Sequence, residues 1–139
     1  MRRASLVASV SNLLIPPILL FGLYVQFHGD YGPGGGFQAG VIFAVAIILH
    51  SLIHGLDETR ARIPDKALTV AMSVGVLLFA GVGFTAMGFG GEFLNYSLLL
   101  DDPLAGQHLG IIVIEFGIGV TVAATLVTLF YAFAGRRSE

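Results

Sequence analysis

Three side chains that change charge near neutral pH stand inside otherwise uncharged stretches of this sequence: Glu115, His50 and His54. A carboxylate among apolar residues is costly unless it is protonated, paired or hydrated, so Glu115 must face protein or water rather than hydrocarbon. It reads as part of an ion pathway or proton relay, as one half of a pair with a neighbouring subunit, or as a group near the membrane surface. Gly117 and Gly119 lie beside it, and Thr121, Thr125 and Thr128 follow along the same segment. His50 and His54 are one helical turn apart and share a helix face. Imidazole is the side chain that titrates near neutral pH, which makes the pair a candidate proton pathway or pH-sensitive contact, with structural hydrogen bonding as the other reading for His50 and simple hydration for His54. Two histidines at this spacing can begin a metal site, but a zinc site needs further ligands, and the segment supplies none. No metal and no cofactor is expected.

Other chemistries are closed off by composition. The sequence has no cysteine, which removes disulfides, thiolate metal sites and thioether haem attachment. It has no Ser/His, paired-carboxylate or cysteine constellation for an independent intramembrane enzyme. The glycine-rich stretch from His28 to Phe37 lacks the Lys-Ser/Thr ending of a phosphate-binding loop and has no strand before it. A formal net charge of −2 marks no nucleic-acid surface, because the charges are divided between the ends of apolar segments.

The elements that carry these residues are membrane spans. Of 139 residues, 55% are apolar and 12% charged, and the mean hydropathy is +0.87, well outside the range of a soluble domain. A spanning helix needs roughly 20 apolar residues to cross a ~30 Å hydrocarbon core. The sequence predicts four, over about residues 4–27, 37–56, 67–89 and 109–134, in a single all-α transmembrane domain covering 1–139. Lys and Arg in short loops are retained on the cytoplasmic side during insertion. Arg2 and Arg3, then Arg60, Arg62 and Lys66, then Arg136 and Arg137 all fall on one side of the predicted spans, and Asp30, Glu92, Asp101 and Asp102 fall on the other. Both termini are therefore expected in the cytoplasm. A cleaved secretory signal is not expected at the N-terminus, because Pro16 and Pro17 interrupt the helix it would need.

Within the first span, Pro16 and Pro17 deprive the carbonyls of Asn12 and Leu13 of amide partners and predict a kink. Ser9, Ser11 and Asn12 are near enough to answer those carbonyls. Gly36, Gly40 and Ala44 form a stripe of small residues that predicts close helix packing, and Gly75, Gly81, Gly83 and Gly88 give the third span smooth surfaces. No internal repeat is evident.

The run Gly32, Pro33, Gly34, Gly35, Gly36, Phe37, Gln38, Ala39, Gly40, leading straight into an apolar helix, resembles the B subunit of the Mrp (Mnh) multisubunit sodium/proton antiporter. Pro33, Gly34, Gly35, Gly36, Phe37 and Gly40 map onto the motif, and the four-span layout agrees over the rest. The resemblance implies a small, non-enzymatic subunit of a secondary transporter in the bacterial inner membrane, which exports Na+ as H+ enters and supports pH homeostasis. It implies A, C, D, E, F and G type subunits as partners, and no catalytic residue is carried over. Related subunits occur in assemblies akin to respiratory complex I, so the alternative is a structural subunit of a redox-driven complex such as a membrane-bound hydrogenase. Four short helices with glycine stripes make a poor transporter alone, since substrate sites form between repeats or broken helices.

Overall fold

The computed structural model describes residues 2–29 and 34–136, so Asp30, Pro33, Arg137 and the side chains of Arg2 and Arg3 lie outside the described set. Among the described residues four helices are long and apolar enough to cross a membrane. They are α1 (Arg2–His28), α2 (Gly36–His54), α4 (Asp65–Gly88) and α5 (Pro103–Gly135), with a short α3 (Leu56–Arg62) between the second and third spans. A single 3-10 turn, Tyr96–Leu98, lies between α4 and α5. Pro16 and Pro17 stand inside α1, which continues through both.

Local chemistry sets the ends. Gly55, at φ 97°, separates α2 from α3, a conformation that favours glycine, and α2 therefore stops at His54 rather than reaching 56. The fourth span begins at Pro103, earlier than the expected 109. The Asp102 carboxylate accepts a hydrogen bond from the Leu104 amide at 3.1 Å, and Pro103 occupies the first turn, where a missing N–H costs nothing. The polar residues Gln107 and His108 are thus helical rather than part of the loop.

The helices pack as a curved row in the order α1, α2, α5, α4, and neither α1 nor α2 packs extensively on α4. This is not a closed bundle. Helix α5 is the shared member, and its small residues explain why. A Cβ on Gly40 of α2 would stand 2.6 Å from the Gly119 carbonyl oxygen, and a Cβ on Gly117 would stand 2.9 Å from the Gly75 carbonyl oxygen of α4. Helices meeting this closely gain dispersion contacts that replace the hydrophobic driving force absent in lipid. The expected stripe is borne out: Gly36, Gly40 and Ala44 are all buried. In the third span Gly75 and Gly83 pack, whereas Gly81 and Gly88 have open space beside them.

At the α3 pole, Ala44, Leu68, Ala124, Val127 and Tyr131 form the buried core. Tyr131 is almost wholly buried and donates its hydroxyl to the Ile63 carbonyl at 3.2 Å. Arg60 donates to the Tyr131 carbonyl at 3.2 Å and lies 5.2 Å over the tyrosine ring. These contacts pin the short α3 segment to the end of α5. Elsewhere large apolar side chains such as Leu13, Leu77 and Phe133 face outward, as a lipid-facing or subunit-facing surface requires.

Candidate functional site

Glu115 lies about twelve residues into α5, roughly 18 Å along its axis, yet it is level with the loop between α1 and α2. The extra turns at the start of α5 account for this: the helix overshoots the neighbours that it packs against. The glycine motif closes over the half-buried carboxylate. A Cβ on Gly35 would stand 2.6 Å from Glu115 Oε1, and one on Gly29 would stand 2.8 Å from both carboxylate oxygens. A Cβ on Gly36 would run into the Glu115 carbonyl. Gly35 also caps the start of α2 at φ 107°, ψ −171°, a region essentially confined to glycine. Its amide donates to the Val25 carbonyl at 3.1 Å, holding the loop against the end of α1. The loop residues and Glu115 therefore make one unit. Glu115 thus lies beside the N-terminal end of α2, where a helix leaves its first backbone N–H groups without partners of its own, a setting that complements a carboxylate.

The histidines form a second unit at the far end of α2. From Gly36 to His50 is about fourteen residues, roughly 21 Å along the helix, so Glu115 and the histidines do not share a site. The Thr59 hydroxyl donates to the Gly55 carbonyl at 3.0 Å. It therefore accepts from His50 Nδ1–H, also at 3.0 Å. His54 Nε2–H donates to the Asn12 side-chain oxygen at 2.8 Å and ties α1 to α2. The two rings lie 4.6 Å apart. Among the described residues no group of three or more His, Asp or Glu could hold a metal.

Between the two units the threonines of α5 turn inward on their own helix. Thr121, Thr125 and Thr128 donate to the carbonyls of Gly117, Thr121 and Ala124 at 2.7–2.8 Å. Their protons are thereby committed, and they form no hydrogen-bonded chain from Glu115 to His50.

One polar residue escaped sequence reading. Gln26, in the last turn of α1, is only 7% exposed. Its Oε1 lies against Gly119, where a Cβ would stand 2.8 Å from it. The sole amide in an apolar turn was the available signal.

Comparison with known proteins bears out the resemblance carried by the glycine motif. Residues 6–128 match the family model described as a domain related to the MnhB subunit of the Na+/H+ antiporter. Proteins of Staphylococcus aureus strains Newman, JH1 and COL, each named "Putative antiporter subunit mnhB2", are 35% identical over 133 residues, which is 94% of either chain. A match of this extent takes in all four spans, the motif loop and Glu115, and the chain belongs to the family of domains related to the MnhB subunit of the Na+/H+ antiporter.

Proposed function

We infer that this protein is a small membrane subunit of a multisubunit Na+/H+ antiporter in the bacterial plasma membrane, with both termini cytoplasmic. The observation that carries the reading is the family match over residues 6–128, together with relatives that align end to end. It favours the antiporter over a redox-driven assembly. The open row of helices supports a role that needs other subunits, because α1 and α4 present broad apolar faces to their surroundings. Within that complex, Glu115 serves the ion pathway at the outer face and His50, with His54, at the cytoplasmic face. The glycine motif holds Glu115 in place.

Everted membrane vesicles carrying the whole complex test this. Deleting the subunit abolishes Na+-driven proton exchange, and unchanged exchange would sink the reading. Glu115→Gln keeps the shape but removes the titrating proton, so exchange falls about tenfold or more at matched expression, while Glu115→Ala leaves assembly largely intact. Equal turnover of the glutamine variant and the parent rejects the proton role. His50→Ala shifts the pH dependence of exchange, and an unchanged profile returns His50 to its structural bond with Thr59.

A further inference from the structure

Gln26 lies one turn further in than Glu115, and its surroundings repeat those of the carboxylate. Gly29 meets Glu115, since a Cβ there would stand 2.8 Å from both carboxylate oxygens. Three residues back along α1 and four residues on along α5, Gln26 meets Gly119 in the same way: a Cβ on Gly119 would stand 2.8 Å from Gln26 Oε1. Steps of three and four residues keep to one face of a helix, so the two contacts are successive layers of one seam, about 4.5–6 Å apart. Helix α2 joins the inner layer. The Gly36 carbonyl oxygen lies 3.1 Å from the same Cβ position on Gly119, and helix carbonyls point toward the C-terminal end, which for α2 is the direction away from Glu115 and toward Gln26. Two oxygens, an amide from α1 and a carbonyl from α2, thus converge beside α5 one layer inward of the carboxylate. Gln26 is only 7% exposed, and among the described residues none hydrogen-bonds its side chain. A buried amide without a partner is costly, so this oxygen calls for a ligand from outside the chain.

We propose that Gln26 Oε1, the Gly36 carbonyl oxygen and the Glu115 carboxylate together bind one Na+ where α1, α2 and α5 meet. The choice of ion rests on the reading of Glu115 as part of the antiporter's ion route, and the donor set supports it. All three donors are oxygens, which suit hard cations such as Na+ rather than transition metals. One carboxylate balances one positive charge, whereas a divalent ion would leave charge uncompensated in a partly buried place. Ca2+, close to Na+ in size, holds oxygens at ~2.3–2.6 Å, so ligands on opposite sides of such an ion stand about 5 Å apart, the spacing of the two layers. The amide does not titrate near neutral pH, so Gln26 serves a bound cation and not a proton. Gly119 keeps the space beside these oxygens free of a side chain.

The test is protection of Glu115 in the purified whole complex. A hydrophobic carbodiimide modifies buried carboxyl groups, and the adduct on Glu115 is followed by mass spectrometry at constant ionic strength. Na+ is expected to slow the modification several-fold relative to choline. Gln26→Leu, which keeps the bulk and removes the oxygen, should need about tenfold more Na+ for the same protection, and Gln26→Glu, which returns an oxygen, should need no more than the parent. Protection by Na+ no better than by choline, or protection of Gln26→Leu at the parent's Na+ concentration, would overturn the proposal. Should Gln26→Leu fail to assemble, the parent and Gln26→Glu decide, and loss of protection in Gln26→Glu also overturns it. Exchange in everted vesicles separates this site from the reading beneath it. Na+ protection of Glu115, with Glu115→Gln and Gln26→Leu both exchanging like the parent, keeps the site and removes it from the ion route. Exchange stopped by Glu115→Gln, with no protection by Na+, keeps the route and rejects the site.

Discussion

Gly35 and Glu115 each make sense only in the presence of the other. Side chains are excluded at Gly35 twice over: by a backbone conformation near φ 107° and by the carboxylate 2.6 Å from where a Cβ would stand. Gly35→Ala should therefore destabilise the protein by about 1–3 kcal/mol, read as a fall in the melting temperature of the purified complex. Adding Glu115→Ala removes the steric part but leaves the backbone part, so the double variant loses less than the sum of the two single losses. Strict additivity would show that the two residues do not touch. Gly88→Ala, with nothing within 4 Å of the new methyl, serves as the neutral comparison. The sequence made both residues legible separately: the glycine run as a turn-forming loop, Glu115 as a charge that must avoid lipid. Their juxtaposition was not legible, because it depends on which helix packs against which and at what offset along their axes, and neither segment encodes that.

At the scale of elements, uniform apolarity and length were enough to find four spans, and the small-residue stripe of α2 was read correctly as a packing face. What the sequence could not supply was the order of the helices in space. Stripes of glycine say that some helix comes close, not which one. The structure shows that α5 takes both roles, meeting α2 through Gly119 and α4 through Gly117. Replacing Gly40 by Leu would drive a side chain into the Gly119 carbonyl and the Val122 side chain, which lie 2.6 Å and 2.9 Å from the Cβ position. Overpacking of this kind costs about 1–3 kcal/mol or more. Gly40→Leu should sharply reduce the amount of complex recovered in mild detergent, while Gly81→Leu, facing open space, should leave it nearly unchanged. Comparable recovery of the two variants would remove α2–α5 contact as the organising interface. The start of α5 was missed for a related reason. Asp102 and Pro103 are a legible helix start, but Gln107 and His108 just beyond them lower the apparent hydrophobicity and draw the predicted boundary inward.

For the whole molecule, the separation of charge found in the sequence coincides with a separation in space. Arg60 is bound to the Tyr131 carbonyl at the end of α5, which places the basic α3 segment beside Arg136 at one pole. Glu92, Asp101 and Asp102 lie between α4 and the start of α5, at the other. With 33 residues, α5 is about 50 Å long and exceeds a ~30 Å hydrocarbon core, so its first turns must tilt or project into the acidic pole, where Gly106 packs against the Tyr96 carbonyl. On the proposed topology, in which Lys and Arg are retained in the cytoplasm, this acidic projection would face outward and Glu115 would lie near the external surface. The absence of cysteine makes the orientation directly measurable, since any introduced cysteine is the sole thiol in the chain. A membrane-impermeant maleimide applied to intact cells should label Glu92→Cys and Asp101→Cys and spare Glu58→Cys, and everted vesicles should give the reverse. Labelling of Glu58→Cys from outside intact cells would invert the topology, and with it the assignment of Glu115 to the outer and the histidines to the inner end of any ion route.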